Sequence, residues 1–304
     1  VGALAGVGVK VVLAGLLGFG LRRKGFVTAE LAQDLGKLLL SVIAPFAIVA
    51  AATRPYQAEL ASSLYTTLAV SVTYFVLAVA LGVAVSRMTP MEVAERRALV
   101  CLSTFPNMTF IGMPIVAELF GAAGLLCAVV ANLVFNLFFF TFAENYMGSV
   151  GFKLKTIVTS PVVIACVVAV VIFFGRLPVP DAFGSAFAML GGAMAPIAMM
   201  IVGFGLAESY LGELIRNPFG YLAGGMRLLF WPVLVLVAGR LLGLDTLAVN
   251  SATILFAMPC GTMTVMLAAR SGRAYRFCAQ SVVQSNAMMF LTLPGIYWLI
   301  QIWP

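Results

Sequence analysis

Long apolar runs, separated by short polar or basic stretches, recur along the 304 residues, and most approach the roughly 20 residues a membrane-crossing helix needs. The pattern places ten spans at about residues 2–21, 35–52, 63–85, 98–120, 124–147, 157–174, 183–207, 221–242, 247–269 and 277–302. Two of them carry helix breakers at mid-length. The fourth contains Pro106-Asn107-Met108-Thr109-Phe110-Ile111-Gly112-Met113-Pro114, and the ninth contains Ala257-Met258-Pro259-Cys260-Gly261-Thr262. Pro106, Pro114 and Pro259 remove backbone donors, while Gly112 and Gly261 permit angles that other residues resist. Spans four and nine are therefore expected to be discontinuous, each breaking close to its proline. Irregular backbone at membrane depth survives only where protein or a water-filled cavity satisfies it, so paired breaks point to a site.

Composition changes this picture little. Hydrophobic residues make up 62% of the chain and charged residues 10%, with a mean hydropathy of +1.09. These values define an all-α polytopic membrane protein. Its expected location is a bilayer, read as a bacterial inner membrane. The net charge of +7 is spread singly between apolar runs, which excludes a nucleic-acid partner and reads as a set of topology signals. Cys101, Cys127, Cys166, Cys260 and Cys278 lack paired spacing, and histidine is absent, so buried free thiols are expected, without a metal or cofactor. The first span runs into Leu21-Arg22-Arg23-Lys24 without a small-residue cleavage site, so a cleaved leader is not expected.

The two halves repeat. Pro45 is answered by Pro196, Pro106 by Pro259 and Asn136 by Asn286, at offsets of 151, 153 and 150 residues. Five spans per unit force the second copy to enter the membrane from the opposite side, giving a 5+5 inverted repeat with halves 1–148 and 149–304 and a divide at 148–155. Basic residues test this layout. Thirteen cluster at loops after odd-numbered spans, among them Arg22, Arg23, Lys24, Arg96, Arg97, Lys153, Lys155 and Arg216, against four on the other side: Lys10, Arg54, Arg176 and Arg240. The asymmetry puts the odd-numbered loops in the cytoplasm and both termini outside.

Where a helix restarts, it exposes unsatisfied amides and the positive end of its dipole, a natural seat for a carboxylate. Asn107, Thr109, Gly112, Cys260, Gly261 and Thr262 are the candidate substrate-binding residues. Carbonyls left open by the first pieces could instead hold a cation, and simple repair of the broken helices competes with a binding role for each polar group. Pro45, Asn136, Pro196, Gln284 and Asn286 are candidates for supporting the crossing. Lys10 and Arg227 lie deeper than the other cations. Snorkelling to a surface is the simpler expectation for both, with Arg227 retained as a candidate intramembrane charge.

The run from Asn107 to Ile115 followed by Glu118-Leu119-Phe120-Gly121, the Ala257-Met258-Pro259-Cys260-Gly261 segment, and Leu291-Thr292-Leu293-Pro294 with Tyr297 resemble the auxin efflux carrier family. That family includes plant PIN-type carriers and bacterial malate permease-like proteins. The resemblance implies a scaffold of spans one, two, six and seven, a moving core of spans three to five and eight to ten, and elevator-like transport of an organic carboxylate. In PIN-type carriers the third span holds an acidic and a basic side chain, whereas residues 63–85 here hold no charge.

The leading function is thus a secondary transporter for an organic anion. A sodium-coupled organic-anion symporter of bile-acid type is the alternative within the same class, and a ligand-sensing receptor or channel on a carrier scaffold is the alternative outside it. An enzyme is not expected: Asp34, Asp181 and Asp245 all lie outside the spans, and no nucleotide-binding loop is present. Small carboxylates and lipid are the expected partners. A homodimer is left open.

Overall fold

The computed structural model describes residues 2–148, 159–208 and 217–303, and among these the chain is helical apart from one isolated antiparallel bridge. In chain order the helices are α1 (Gly2–Arg23), α2 (Ala29–Ala52), α3 (Ala58–Arg87), α4 (Val93–Thr104) and α5 (Met108–Tyr146). They continue with α6 (Pro161–Phe174), α7 (Asp181–Gly191), α8 (Met194–Glu208), α9 (Pro218–Leu241), α10 (Thr246–Phe256), α11 (Thr262–Ser271) and α12 (Tyr275–Ile302). Four of these, α2, α3, α5 and α9, together with the α7–α8 segment Asp181–Gly205, are long and apolar enough to cross a membrane. The expected divide beyond Gly148, with Lys153 and Lys155, and also Arg216, lie outside the described residues.

Local chemistry sets several helix ends. Thr28 and Asn217 cap α2 and α9 by accepting from the amides of Leu31 and Gly220, and Asp245 caps α10 by accepting from Ala248. Inside helices, proline has a more particular effect. Pro45, Pro114 and Pro232 each follow a widened π-helical turn, at Leu39–Ile43, Met108–Gly112 and Met226–Phe230. A proline ring collides with the carbonyl four residues back in a regular helix, and a wider turn just before it moves that carbonyl aside. Pro196, the repeat partner of Pro45, behaves differently. Within the seventh span, read as 183–207 and found as the apolar segment Asp181–Gly205, the α-helix stops at Gly191 and resumes at Met194, and Pro196 sits in the first turn of α8, where its missing donor costs nothing.

At 39 residues, α5 would extend about 58 Å, nearly twice the hydrocarbon thickness of a bilayer. It does not run straight. Gly121 adopts φ 64° and ψ −157°, outside helical geometry. Asn132, eleven residues after it, donates to Thr109 Oγ1, twelve residues before it, at 2.8 Å. The two limbs therefore fold back on each other about Gly121, a reversal that a residue with a Cβ would resist.

Packing falls into two neighbourhoods. In the first, α1 lies against α8, and α2 against α6 and α7. Small residues bring these backbones close: a Cβ on Gly203 would stand 2.1 Å from the Gly15 carbonyl oxygen, and one on Gly191 would stand 2.5 Å from Cα of Ala47. The second gathers α3, α4, α5 and α10, with α9 and α12 alongside, around a cluster of rings. Phe75 stacks on Phe105 with centroids 5.7 Å apart, Phe139 meets Phe105 edge-on at 5.2 Å, and Tyr74 stacks on Phe256 at 3.8 Å.

The α1–α8 seam yields a direct test. Gly203→Val is expected to lower the apparent melting temperature of detergent-purified protein by about 5 °C or more, since overpacking against backbone cannot be relieved by a rotamer change. Gly20→Ala, with open space at its Cβ, should leave it unchanged. Equal melting of Gly203→Val and the parent, by intrinsic fluorescence, would show that the helices are not in contact there.

Candidate functional site

Both expected breaks are present, and they meet. The chain between α4 and α5 passes through Phe105, Pro106 and Asn107; that between α10 and α11 passes through Ala257 to Gly261. Pro106 and Cys260 face each other in the antiparallel bridge. The Asn107 amide donates to the Pro259 carbonyl at 2.8 Å, and the Gly261 amide donates to the Phe105 carbonyl at 2.9 Å. The Cys260 amide, between them, donates to Ser285 Oγ of α12 at 3.0 Å. Each break thus supplies part of what the other lacks. Gly261 is required by closeness, because a Cβ would stand 3.0 Å from the Phe105 oxygen and 3.2 Å from the Pro106 oxygen.

Each restarted helix begins at this crossing, α5 at Met108 with Asn107 before it and α11 at Thr262 with Gly261 before it. Both starts open onto one cavity of about 730 Å³, lined at the crossing by Pro106, Asn107, Thr109, Gly261 and Thr262. Phe110, Phe135, Phe140, Met263 and Ile201 give it mainly apolar walls, and Gln33, Lys37 and Ser160 stand in its lining away from the crossing. Lys37 is already paired with Asp34 at 2.8 Å, and both side chains are exposed. A relay of amides braces the first restart. Asn136 Nδ2 donates to Asn132 Oδ1 at 2.8 Å, and Asn132 Nδ2 donates to Thr109 Oγ1. Asn286 also lines the cavity, and its buried amide oxygen has no hydrogen-bond partner among the described residues.

Behind the crossing lies Arg227, on the π-helical turn of α9 and 0% exposed. Nη1 donates to the Thr104 carbonyl at 3.1 Å, Nη2 to the Phe256 carbonyl at 3.0 Å, and Nε to the Met258 carbonyl at 3.4 Å. Nη1 also donates to Tyr74 Oη, which itself donates to the Thr104 carbonyl at 2.7 Å. Thr104 and Phe256 are the last residues of α4 and α10. The guanidinium therefore sits on the negative ends of both first pieces, where hydrogen bonds to a charged group contribute about 1.5–3 kcal/mol each.

Several expectations are corrected here. Arg227 does not snorkel, because its partners are carbonyls in the core. Lys10 does stay at an accessible position, paired with Glu118 at 2.6 Å. Gly112 and Cys260 do not line the cavity: a Cβ on Gly112 would meet Leu255 and Met258 at 3.1 Å, so it packs the restart against the end of α10, and Cys260 is fully buried in the bridge. Pro196 and Pro114 border a separate cleft with Lys10 and Glu118, and Pro45 shapes α2 from outside the cavity lining. Gln284 Nε2 donates to the Asn217 carbonyl at 3.2 Å, supporting the start of α9 instead of the crossing. Tyr74 and Ser285 were not singled out by the sequence, although Tyr74 is a polar group within an uncharged span.

The profile of one protein family, described as membrane transport protein, matches residues 7–157 and again 149–297. An uncharacterized transporter of Methanothermobacter thermautotrophicus is 23% identical over 292 residues, covering 94% of this chain and 95% of its own. With matches across both halves, the chain belongs to the membrane transport protein family, the auxin efflux carrier group that its broken spans resemble, and is a membrane transporter and not an enzyme.

Proposed function

We propose that this transporter moves an organic carboxylate by an elevator-like cycle, holding the anion where the restarted helices α5 and α11 begin. The observation that carries this reading is the opening of both restarts onto one cavity. Each helix start presents free amides and roughly half a positive charge, so the pair supplies about one unit without any basic side chain among the crossing residues that line the cavity. Asn107 and Thr262 add side-chain donors to that position.

The same proposal includes the layout. The helices group into ten crossings if α4 joins the first limb of α5, α7 joins α8, and α10 joins α11. Two neighbourhoods of packing support a scaffold of spans one, two, six and seven beside a core of spans three to five and eight to ten. With basic loops in the cytoplasm and both termini outside, Gln33, Lys37 and Ser160 lie toward the cytoplasmic end of their helices. The cavity then faces inward, and the Lys10–Glu118 cleft marks the closed outer side.

Orientation is checked by labelling. Val150→Cys on a cysteine-free background should react with a membrane-impermeant maleimide only from the cytoplasmic side. Labelling from outside alone would reject the layout.

Binding is checked in proteoliposomes with a panel of mono- and dicarboxylates. Asn107→Ala should raise the apparent transport constant roughly tenfold, the effect of losing one charge-assisted hydrogen bond of about 1.5 kcal/mol. Gly261→Val should abolish transport, because its side chain would force the bridge apart as well as entering the cavity. Thr73→Ala, on the exposed face of α3, serves as control. Parent-like kinetics for both variants, at matched protein level, would place the site elsewhere.

A further inference from the structure

The crossing has two electrostatic halves. The starts of α5 and α11 face the cavity, while the ends of α4 and α10 turn their carbonyls into the core. Two helix ends carry roughly half a negative charge each, and a pair of them in a low-dielectric interior calls for about one positive unit. Open carbonyls of this kind are ligands for a hard cation. Here the position is filled from within the chain. Arg227 touches the Thr104, Phe256 and Met258 carbonyls and the Tyr74 hydroxyl, all oxygen partners drawn from α3, α4, α10 and the α10–α11 connection. Among the described residues, no carboxylate lies within ion-pair distance of it.

We infer that Arg227 is a resident counter-ion, a positioning residue whose guanidinium occupies the place that a dissociable cation would otherwise take at the paired helix ends. The inference rests on the proposed reading of the crossing as an anion site. Two consequences follow from the geometry. Because α4, α9 and α10 pack together, the charge stays with the crossing through any rigid movement of that group. Removing it leaves three carbonyls and a hydroxyl around a vacated volume, a set of oxygens able to accept a small cation from solution.

The role is distinguished from mere packing by chemical rescue, read as melting temperature of the purified full chain so that no transported anion need be known. Sodium, lithium or guanidinium chloride is compared with choline chloride at equal millimolar ionic strength. The parent should melt at the same temperature in all four. Arg227→Ala should melt lower by about 5 °C or more in choline, and recover in a saturable way with guanidinium or sodium, as linkage to a bound ligand requires. Arg227→Met, which refills volume without charge, should melt low and show no recovery. If Arg227→Ala does not accumulate, Arg227→Lys decides: retained folding with indifference to sodium supports a resident charge, and sodium-dependent melting opposes it. The proposal is overturned if the parent is stabilised saturably by sodium, or if Arg227→Met melts like the parent in choline. Because melting is read without substrate, failure of every carboxylate to be transported would defeat the proposed function and leave this result standing.

Discussion

A backbone that leaves helical geometry inside a bilayer must find hydrogen-bond partners that are not water, and here two breaks satisfy one another. The reciprocal bonds between Asn107 and Pro259 and between Gly261 and Phe105 join the breaks as a minimal antiparallel pair. Everything at the site follows from that contact. It fixes four helix ends around one point, two positive and two negative. Arg227 takes the negative pair, so what remains open to the cavity is positive. The sign of the site is thereby decided by backbone geometry and one buried side chain, with no lysine or arginine among the residues of the crossing that line the cavity.

The same contact explains how the surrounding residues are used. Because main chain holds the crossing, side chains on either side are free for other work. Those facing the core are large rings, Phe75, Phe105 and Phe139, packed against each other and against Phe135, whose ring also forms part of the cavity wall. Those facing the cavity are amides and hydroxyls held by the Asn136–Asn132–Thr109 relay, which spans the two limbs folded at Gly121. Each interhelical bond of this kind is worth only about 0.6 to 2 kcal/mol, so the relay contributes more to aiming Thr109 than to total stability.

Much of this was legible from residue types, and the misses share a cause. Pro106 and Pro259 announce breaks because proline removes a donor wherever it stands, and the repeat spacing tied them together. Gly112 and Cys260 were misplaced because distance along the chain from a break does not say which way a short, irregular segment turns; one packs against Leu255 and the other lies inside the bridge. Arg227 was read as a snorkelling cation because peptide carbonyls, its actual partners, leave no mark in a sequence. Pro45 and Pro196 look equivalent as letters, yet one is accommodated by a widened turn and the other by a restarted helix. The choice between those outcomes is made by tertiary packing.

On the proposed reading, the charge count at the crossing also constrains the anion. Two helix starts supply about one positive unit, which balances a single carboxylate. A second carboxylate would have to lie along walls formed by Phe110, Phe135, Phe140 and Met263, where an unpaired charge is costly. Among the described residues that line the cavity it would find a cation only at Lys37, which is already engaged by Asp34 and exposed, so that any further attraction there is weak. The arrangement favours an anion charged at one end, with its apolar body directed away from the crossing.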